Sequence, residues 1–291
     1  MDPFRVWDRQ GNGQTCGAPP FLVPGQITED TDRMPASLVV LFALLGLAAG
    51  SFLNVVIYRV PLRQSVVSPR SRCVACGVQI LDRDNIPLLS WVVLRGRCRN
   101  CHAPISMRYP LVELTTGLLF AGAADRIGFK WDLPAFLVLL ASLLALAMID
   151  FEHLMLPKRI VYPSTIITGA LFLLAAAETD GWSRLLVAAL CGFGWFAIFW
   201  VINLISPRAM GFGDVRLAPL LGIGLGWLGL RYVILGFFSA NLIGAVVGLL
   251  LIASNRMRRD QQIPYAVFLA LGTALTVFAG TEILAPIQRL L

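Results

Sequence analysis

The sequence predicts an all-α, polytopic membrane protein with about eight transmembrane helices and a small zinc-binding cytoplasmic loop domain. Three observations carry that prediction. Of the 291 residues, 57% are hydrophobic and only 14% charged, whereas soluble domains carry about 25% charged residues. The apolar residues are gathered into long, nearly unbroken runs. The large polar segment between the first two runs holds four of the six cysteines.

Runs long enough to cross roughly 30 Å of hydrocarbon at about 1.5 Å per residue fall near 36–58, 110–125, 133–150, 160–178, 184–205, 215–230, 231–253 and 264–288. Residues 1–35 precede them and are polar and rich in Pro and Gly, with no apolar core ahead of a small-residue cleavage site. They read as a flexible extracytoplasmic tail, and run 36–58 as an uncleaved signal anchor. Segment 59–109 is the cytoplasmic loop domain, and 110–291 is a continuous series of membrane helices. The sixth and seventh runs share one apolar block, so a count of seven stays open. Gly222-x3-Gly226 and Gly244-x3-Gly248 permit close helix contact, within the bundle or between chains, which leaves a homo-oligomer open.

Orientation follows from the basic residues. With the amino terminus outside, the inside segments hold 16 of the 24 Lys and Arg: Arg59, Arg63, Arg70, Arg72, Arg83, Arg95, Arg97, Arg99, Arg108, Lys158, Arg159, Arg208, Arg216, Arg256, Arg258 and Arg259. The others are spread over five outside segments, so the positive-inside rule selects this topology. The net charge of +7 is then a topology signal with some attraction to anionic membrane lipid. It is not a nucleic-acid footprint.

The loop contains Cys73-Val74-Ala75-Cys76 and Cys98-Arg99-Asn100-Cys101, two C-x2-C knuckles separated by 21 residues. Four thiolates at this spacing can close tetrahedrally on one zinc. Two disulfides or four free thiols are the alternatives, and a reducing cytoplasm disfavours the first. A loop this size buries little core, so a metal would supply much of its folding energy. Cys98 to His102 also reads C-x-x-C-H, the pattern for covalent haem attachment. That chemistry takes place outside the membrane and leaves Cys73 and Cys76 without a role, so His102 reads as a surface residue. Cys16 in the tail and Cys191 in the fifth run read as small apolar residues.

Two carboxylates stand at the ends of apolar runs, where a charge is expensive. Asp150 closes Ala147-Met148-Ile149-Asp150, and Asp214 lies in Gly211-Phe212-Gly213-Asp214-Val215-Arg216-Leu217. The topology puts both on the cytoplasmic face. A pair of acids sharing one proton can polarise a water between them, as aspartic peptidases require. Gly211 and Gly213 allow close backbone approach or positive φ, so that Asp214 can point from a turn into a wet cavity. Taken alone, Asp214 also reads as a residue capping the sixth helix, and the pair as a proton relay of a transporter. A relay places its acids at mid-membrane and gives the cysteine loop no part. Glu152 and His153 read as solvated residues at headgroup level, and Glu113 as a bundle-facing polar contact.

At this point the chain resembles the bacterial type IV prepilin leader peptidases. The resemblance rests on Gly50-Ser51-Phe52-Leu53-Asn54-Val55-Val56-Ile57-Tyr58-Arg59, the four cysteines, Asn85-Ile86-Pro87-Leu88-Leu89-Ser90-Trp91, Leu94-Arg95-Gly96-Arg97-Cys98 and Ile105-Ser106-Met107-Arg108-Tyr109-Pro110. The family's first catalytic motif, an aspartate followed by Leu-Pro, is similar to Asp150 with Leu156 and Pro157. Its second, Gly-x-Gly-Asp-x-Lys, is similar to Gly211, Gly213 and Asp214, with Arg216 in place of lysine. Lys158 stands where an acidic residue is frequent, and Ile263-Pro264-Tyr265-Ala266-Val267-Phe268-Leu269 replaces a pattern that usually reads Pro-Phe-Gly-Pro-x-Leu. Intramembrane proteases of the signal-peptide-peptidase kind share Gly-x-Gly-Asp but pair it with Tyr-Asp, and here Ile149 precedes Asp150.

The resemblance implies an aspartic endopeptidase of the bacterial cytoplasmic membrane, with 110–291 as its peptidase part. Its substrates would be type IV prepilin or pseudopilin precursors, cleaved at the cytoplasmic face. It also implies N-methylation of the new amino terminus with S-adenosylmethionine, associated with the loop 59–109 and with Gly96, Arg97 and Glu113 as candidates. No Gly-rich nucleoside cradle supports that half from the residues themselves, so a peptidase without methyl transfer is the alternative.

Overall fold

The computed structural model describes residues 5–7, 13–15, 34–206, 211–254 and 263–288. The chain divides into two compact units, Met1–Arg33 and Met34–Leu291. In the first, β1 (Arg5–Trp7) pairs antiparallel with β2 (Gly13–Thr15), Val6 opposite Gln14. Val6, Trp7 and Thr15, within the segment read as a flexible tail, are strong strand formers. The rest of the tail, with Cys16, lies outside the described residues, as do Arg208, Arg256, Arg258 and Arg259.

The second unit is helical: α1 (Ala36–Arg59), α2 (Leu89–Val93), α3 (Arg108–Ile127), α4 (Leu133–His153), α5 (Lys158–Thr179), α6 (Trp182–Ile205), α7 (Phe212–Leu228), α8 (Leu230–Ala253) and α9 (Tyr265–Gln288). Apart from α2, these are the eight apolar runs with their ends shifted by a few residues. The block shared by the sixth and seventh runs breaks at Gly229, whose φ of 123° and ψ of 162° are open essentially to glycine alone. Six of the helices are long and apolar enough to cross a membrane, which makes this a multi-pass membrane protein. The expected eight spans are not all met on that measure. α3 carries Arg108, Glu113, Asp125 and Arg126, and α7 has only 17 residues. α7 is an inner helix of the bundle, with eleven residues buried from Asp214 to Trp227.

Missing side chains set the helix contacts. A Cβ on Gly46 would lie 2.6 Å from the Thr116 carbonyl oxygen, and one on Gly50 2.7 Å from the Glu113 Cα, so α1 and α3 touch backbone to backbone. A Cβ on Gly222 would lie 2.6 Å from the Cys191 carbonyl oxygen, and one on Gly226 2.8 Å from the Ala188 Cα. The Gly222-x3-Gly226 pair therefore serves α7 against α6 inside the bundle, as small residues do where lipid offers no hydrophobic drive between helices. Gly244 faces the Phe268 ring of α9. Gly222→Leu has no room to form and is expected to cost about 3 kcal/mol or more, since overpacking against backbone exceeds the usual 1–3 kcal/mol range. Loss of folded protein in a detergent thermal melt checks this, and an unchanged melting temperature would contradict the packing.

Candidate functional site

The two cysteine knuckles are built alike. In the first, the Cys73 N–H donates to the Val78 carbonyl at 2.9 Å and the Gly77 N–H to the Cys73 carbonyl at 2.9 Å; in the second, Cys98 donates to Ala103 at 2.9 Å and His102 to Cys98 at 3.0 Å. Bridges from Arg72 to Gln79 and from Arg97 to Pro104 close the two hairpins. Gly77 and His102 hold the same place and both turn left-handed, with φ of 71° and 56°. His102 thus does in the second turn what glycine does in the first, and His102→Gly is expected to stabilise the loop by about 1 kcal/mol. A chelator titration of the zinc-loaded protein that needs less chelator for the variant would contradict this.

The four Sγ atoms lie within 4.8 Å of one another, and Cys73 Sγ is 3.8 Å from Cys101 Sγ. A tetrahedron of thiolates at the usual zinc–sulfur distance of about 2.3 Å has edges of about 3.8 Å, so the cluster fits such an ion. Backbone N–H groups favour the thiolate at two of the four positions, whereas burial and the neighbouring thiols push Cys101 up to about 11. The Cys101 and Asn100 amides bring the Cys98 thiol down to about 7, and the Val78 amide lowers Cys76. The second knuckle is fastened to residues 82–84 by Asp84, which accepts from Arg99 Nε at 2.8 Å and from a terminal Arg99 nitrogen at 2.6 Å. Those bonds hold its carboxyl below the usual range.

Of the three methyl-transfer candidates, Gly96 and Arg97 belong to the root of the second knuckle. Gly96 has φ of 66°, and a Cβ there would lie 2.9 Å from the Trp91 ring. Trp91 in turn donates its indole N–H to the Ile105 carbonyl at 3.3 Å. Glu113 lies apart from them, 8% exposed on α3. It accepts the Leu88 N–H at 2.8 Å and contacts the Ser51 hydroxyl. Asn54, also buried, donates to the Tyr109 carbonyl at 3.0 Å. These bonds explain why Ser51, Asn54 and the Pro87–Leu88 turn stand out in the sequence.

Asp150 lies near the end of α4 and Asp214 in the first turn of α7, and each is buried. Their charges act on one another. Asp150 Oδ2 accepts the Ala266 N–H at 3.1 Å, a free donor in the first turn of α9. Tyr265, the residue before it, feels the charge of Asp214 and donates its hydroxyl to Asn241 Oδ1 at 3.2 Å. α4, α7 and α9 thus meet at one place. Asp214 does not cap α7: Gly211 is the capping residue, with φ of −67° and ψ of 143°. Neither Gly211 nor Gly213 takes positive φ. Their value is spatial, because Leu156 sits where a Gly213 side chain would be, 3.1 Å from a Cβ there. The Leu156-Pro157 and Gly-x-Gly-Asp motifs are therefore in contact. Gly213→Val is expected to displace Leu156 and lower any activity that depends on the aspartate pair about tenfold or more; activity at the wild-type rate would contradict this.

An open cleft of about 540 Å³ adjoins this point, lined by Val60, Pro61, Leu156, Pro157 and the cations Arg63, Lys158, Arg159 and Arg216. Arg216 lies over the Phe212 ring, 4.6 Å from its centroid. Glu152 is exposed, as expected, and also pairs with Arg108 at 2.7 and 2.9 Å, joining the start of α3 to the end of α4. Sequence reasoning missed Ala266, Tyr265 and this ion pair. Only the departure of Ile263–Leu269 from the family pattern marked the first two as of interest.

The chain is thus a polytopic helical membrane protein with two buried aspartates at the ends of α4 and α7 and a separate loop whose four thiols could hold one metal ion. Residues 44–127 match the Bacterial Peptidase A24 N-terminal domain, and residues 137–253 match the Type IV leader peptidase family. A protein of Myxococcus xanthus named prepilin leader peptidase/N-methyltransferase is 44% identical over 76% of this chain, a match that spans 65% of that relative's length. Proteins of the same name are 34% identical in Stutzerimonas stutzeri, over 86% of this chain and 94% of theirs, and in Pseudomonas aeruginosa, over 86% and 93%. The chain belongs to the type IV leader peptidase family. No solved structure gives a significant match.

Proposed function

We propose that this chain is an aspartic endopeptidase of the bacterial cytoplasmic membrane. It removes the leader of type IV prepilins or pseudopilins at the cytoplasmic face and then N-methylates the new amino-terminal residue. The observation that carries this reading is that Asp150 and Asp214 lie buried at two helix ends whose motifs touch, Leu156 against Gly213, in a chain whose relatives are named prepilin leader peptidase/N-methyltransferase.

One aspartate, ionised, takes a proton from water, and the other, protonated, donates to the scissile carbonyl oxygen. The two titrate as a pair. The Ala266 N–H orients Asp150, and Gly213 lets Leu156 close over the pair. All eight long helices cross the membrane in this reading, with the amino terminus outside. A precursor whose apolar helix begins just after its cleavage site would lie in the bilayer with that site at the level of the aspartates.

A zinc held by Cys73, Cys76, Cys98 and Cys101 would have four protein ligands, so its part would be structural. S-adenosylmethionine, once bound, supplies an electrophilic methyl group on a cationic sulfur. Segment 59–109 carries methyl transfer, and 110–291 the peptidase. Mass spectrometry of the pilin amino terminus after reaction with the purified protein tests both halves. The expected product lacks its leader and carries one added CH₂. Cleavage without that increment would reduce the chain to a peptidase, and an uncleaved precursor would sink the reading.

A further inference from the structure

We propose that the cleft between the inner half of α1 and segment 66–87 is the S-adenosylmethionine site, and that Glu113 is the counter-charge for the ligand's sulfonium. The proposal rests on the two-activity reading and gives its second activity a place. The cleft measures about 490 Å³, within the size of pockets that take drug-sized ligands. Phe52 and Val55 offer it an apolar wall suited to a purine, Asn85 an amide, Arg59 a cation for a carboxylate, and Asp82, ion-paired with Arg70 at 3.8 Å, an acceptor for an ammonium. Arg59 is held to the wall by donating to the Ser65 and Pro69 carbonyls at 3.0 and 2.7 Å.

Glu113 supplies an independent reason. Its carboxylate is buried, and among the described residues no cation pairs with it. A lone buried carboxylate is costly, and a bound cation would offset that cost. Its two partners are Ser51, which lines the cleft, and the Leu88 N–H beside Pro87, which also lines it. The negative charge therefore sits directly behind the cleft wall. Leu88 is held at φ 59° and ψ −50°, a strained conformation for a residue with a side chain. That strain turns its N–H onto Glu113.

The position relative to the aspartates fits a sequence of two reactions. Ser51, Phe52, Val55 and Arg59 of α1 line this cleft, and Val60 and Pro61, which follow directly, line the one beside Leu156 and Arg216. A new amino terminus released at the aspartates has only the end of α1 to pass. There its uncharged α-amine bonds to the methyl carbon through the nitrogen lone pair. The carbon–sulfur bond breaks, its electron pair neutralises the sulfonium to the thioether of S-adenosylhomocysteine, and the nitrogen gives one proton to water. The product has lost the positive charge that Glu113 favours.

That difference makes the test specific. Equilibrium dialysis of the full-length, zinc-loaded protein with radiolabelled S-adenosylmethionine and S-adenosylhomocysteine is compared for wild type, Glu113→Gln and Val67→Trp, with leader cleavage as the check of fold. Glu113→Gln is expected to weaken S-adenosylmethionine about tenfold while changing S-adenosylhomocysteine less than about twofold. Val67 lines the cleft and is 86% exposed, so tryptophan there fills the cleft without entering the core and is expected to weaken both. Wild-type affinity for both ligands in both variants would put the site elsewhere and overturn the proposal. Equal weakening of both ligands by Glu113→Gln would assign it a structural part only. Failure of the wild type to bind either ligand would sink the methyl-transfer reading itself.

Discussion

Asp150→Asn and Asp214→Asn are each expected to lower leader removal by about 10³-fold or more, since loss of a positioned acid or base costs roughly 10²–10⁴ and these two act as a unit. The amide keeps the volume of the carboxyl but can neither give nor take the shared proton. Both variants are expected to fold, for different reasons. An amide at position 150 keeps an oxygen for the Ala266 N–H, which Asp150 accepts at 3.1 Å. At 214 the side chain makes no cap of α7, so no helix start is lost. The double variant is expected to be no worse than the weaker single one, because a pair missing one member has already lost the reaction. Cleavage is read as the gel shift of a membrane-embedded precursor. Substantial residual cleavage in either single variant, with intact membrane insertion, would falsify the paired-acid mechanism.

What was legible in the sequence follows the strength of each physical signal. Apolar runs are the bilayer's own constraint, so all eight helices could be drawn to within a few residues, and the C-x2-C spacing placed four thiols on one point. Gly229 could not be read as the break between α7 and α8, because the apolar pattern continues through it and only its backbone angles interrupt the chain. The aspartates were found by their cost at helix ends, but their surroundings were not. Ala266 acts through its backbone N–H, which no side chain advertises, and the Arg108–Glu152 pair joins residues from separate helices. Gly213 was noted for its freedom of φ, whereas its use is the space it leaves for Leu156. Gly96 and Arg97, candidates by resemblance, also shape the second knuckle, and Glu113 bonds Leu88 and Ser51 on the other side of the loop's base.

Removing the metal is expected to unfold the loop and leave the bundle standing. Of residues 60–107 only Gly96 is buried, so the loop has almost no core of its own, and the two knuckles are joined chiefly through their thiols. Structural zinc in such a setting contributes on the order of 10–16 kcal/mol at neutral pH, far more than the single ion pair of Asp84 with Arg99 can replace. The aspartates, by contrast, are held by α4, α7 and α9, none of which depends on the knuckles. Cys73→Ser combined with Cys98→Ser breaks both knuckles at once and is expected to abolish zinc binding, seen as loss of near-stoichiometric metal from detergent-purified protein. The loop carries seven arginines between Arg63 and Arg99, so trypsin reports its folding directly. Proteolysis there should become faster by about tenfold or more in the variant or after chelation, as the opened state becomes the populated one. Methyl transfer should fall with it, through collapse of the wall at 66–87, while leader cleavage falls less. A loop that stays protected from trypsin without metal would show that packing, not zinc, folds it. Equal loss of both activities would mean that the loop also shapes the peptidase site.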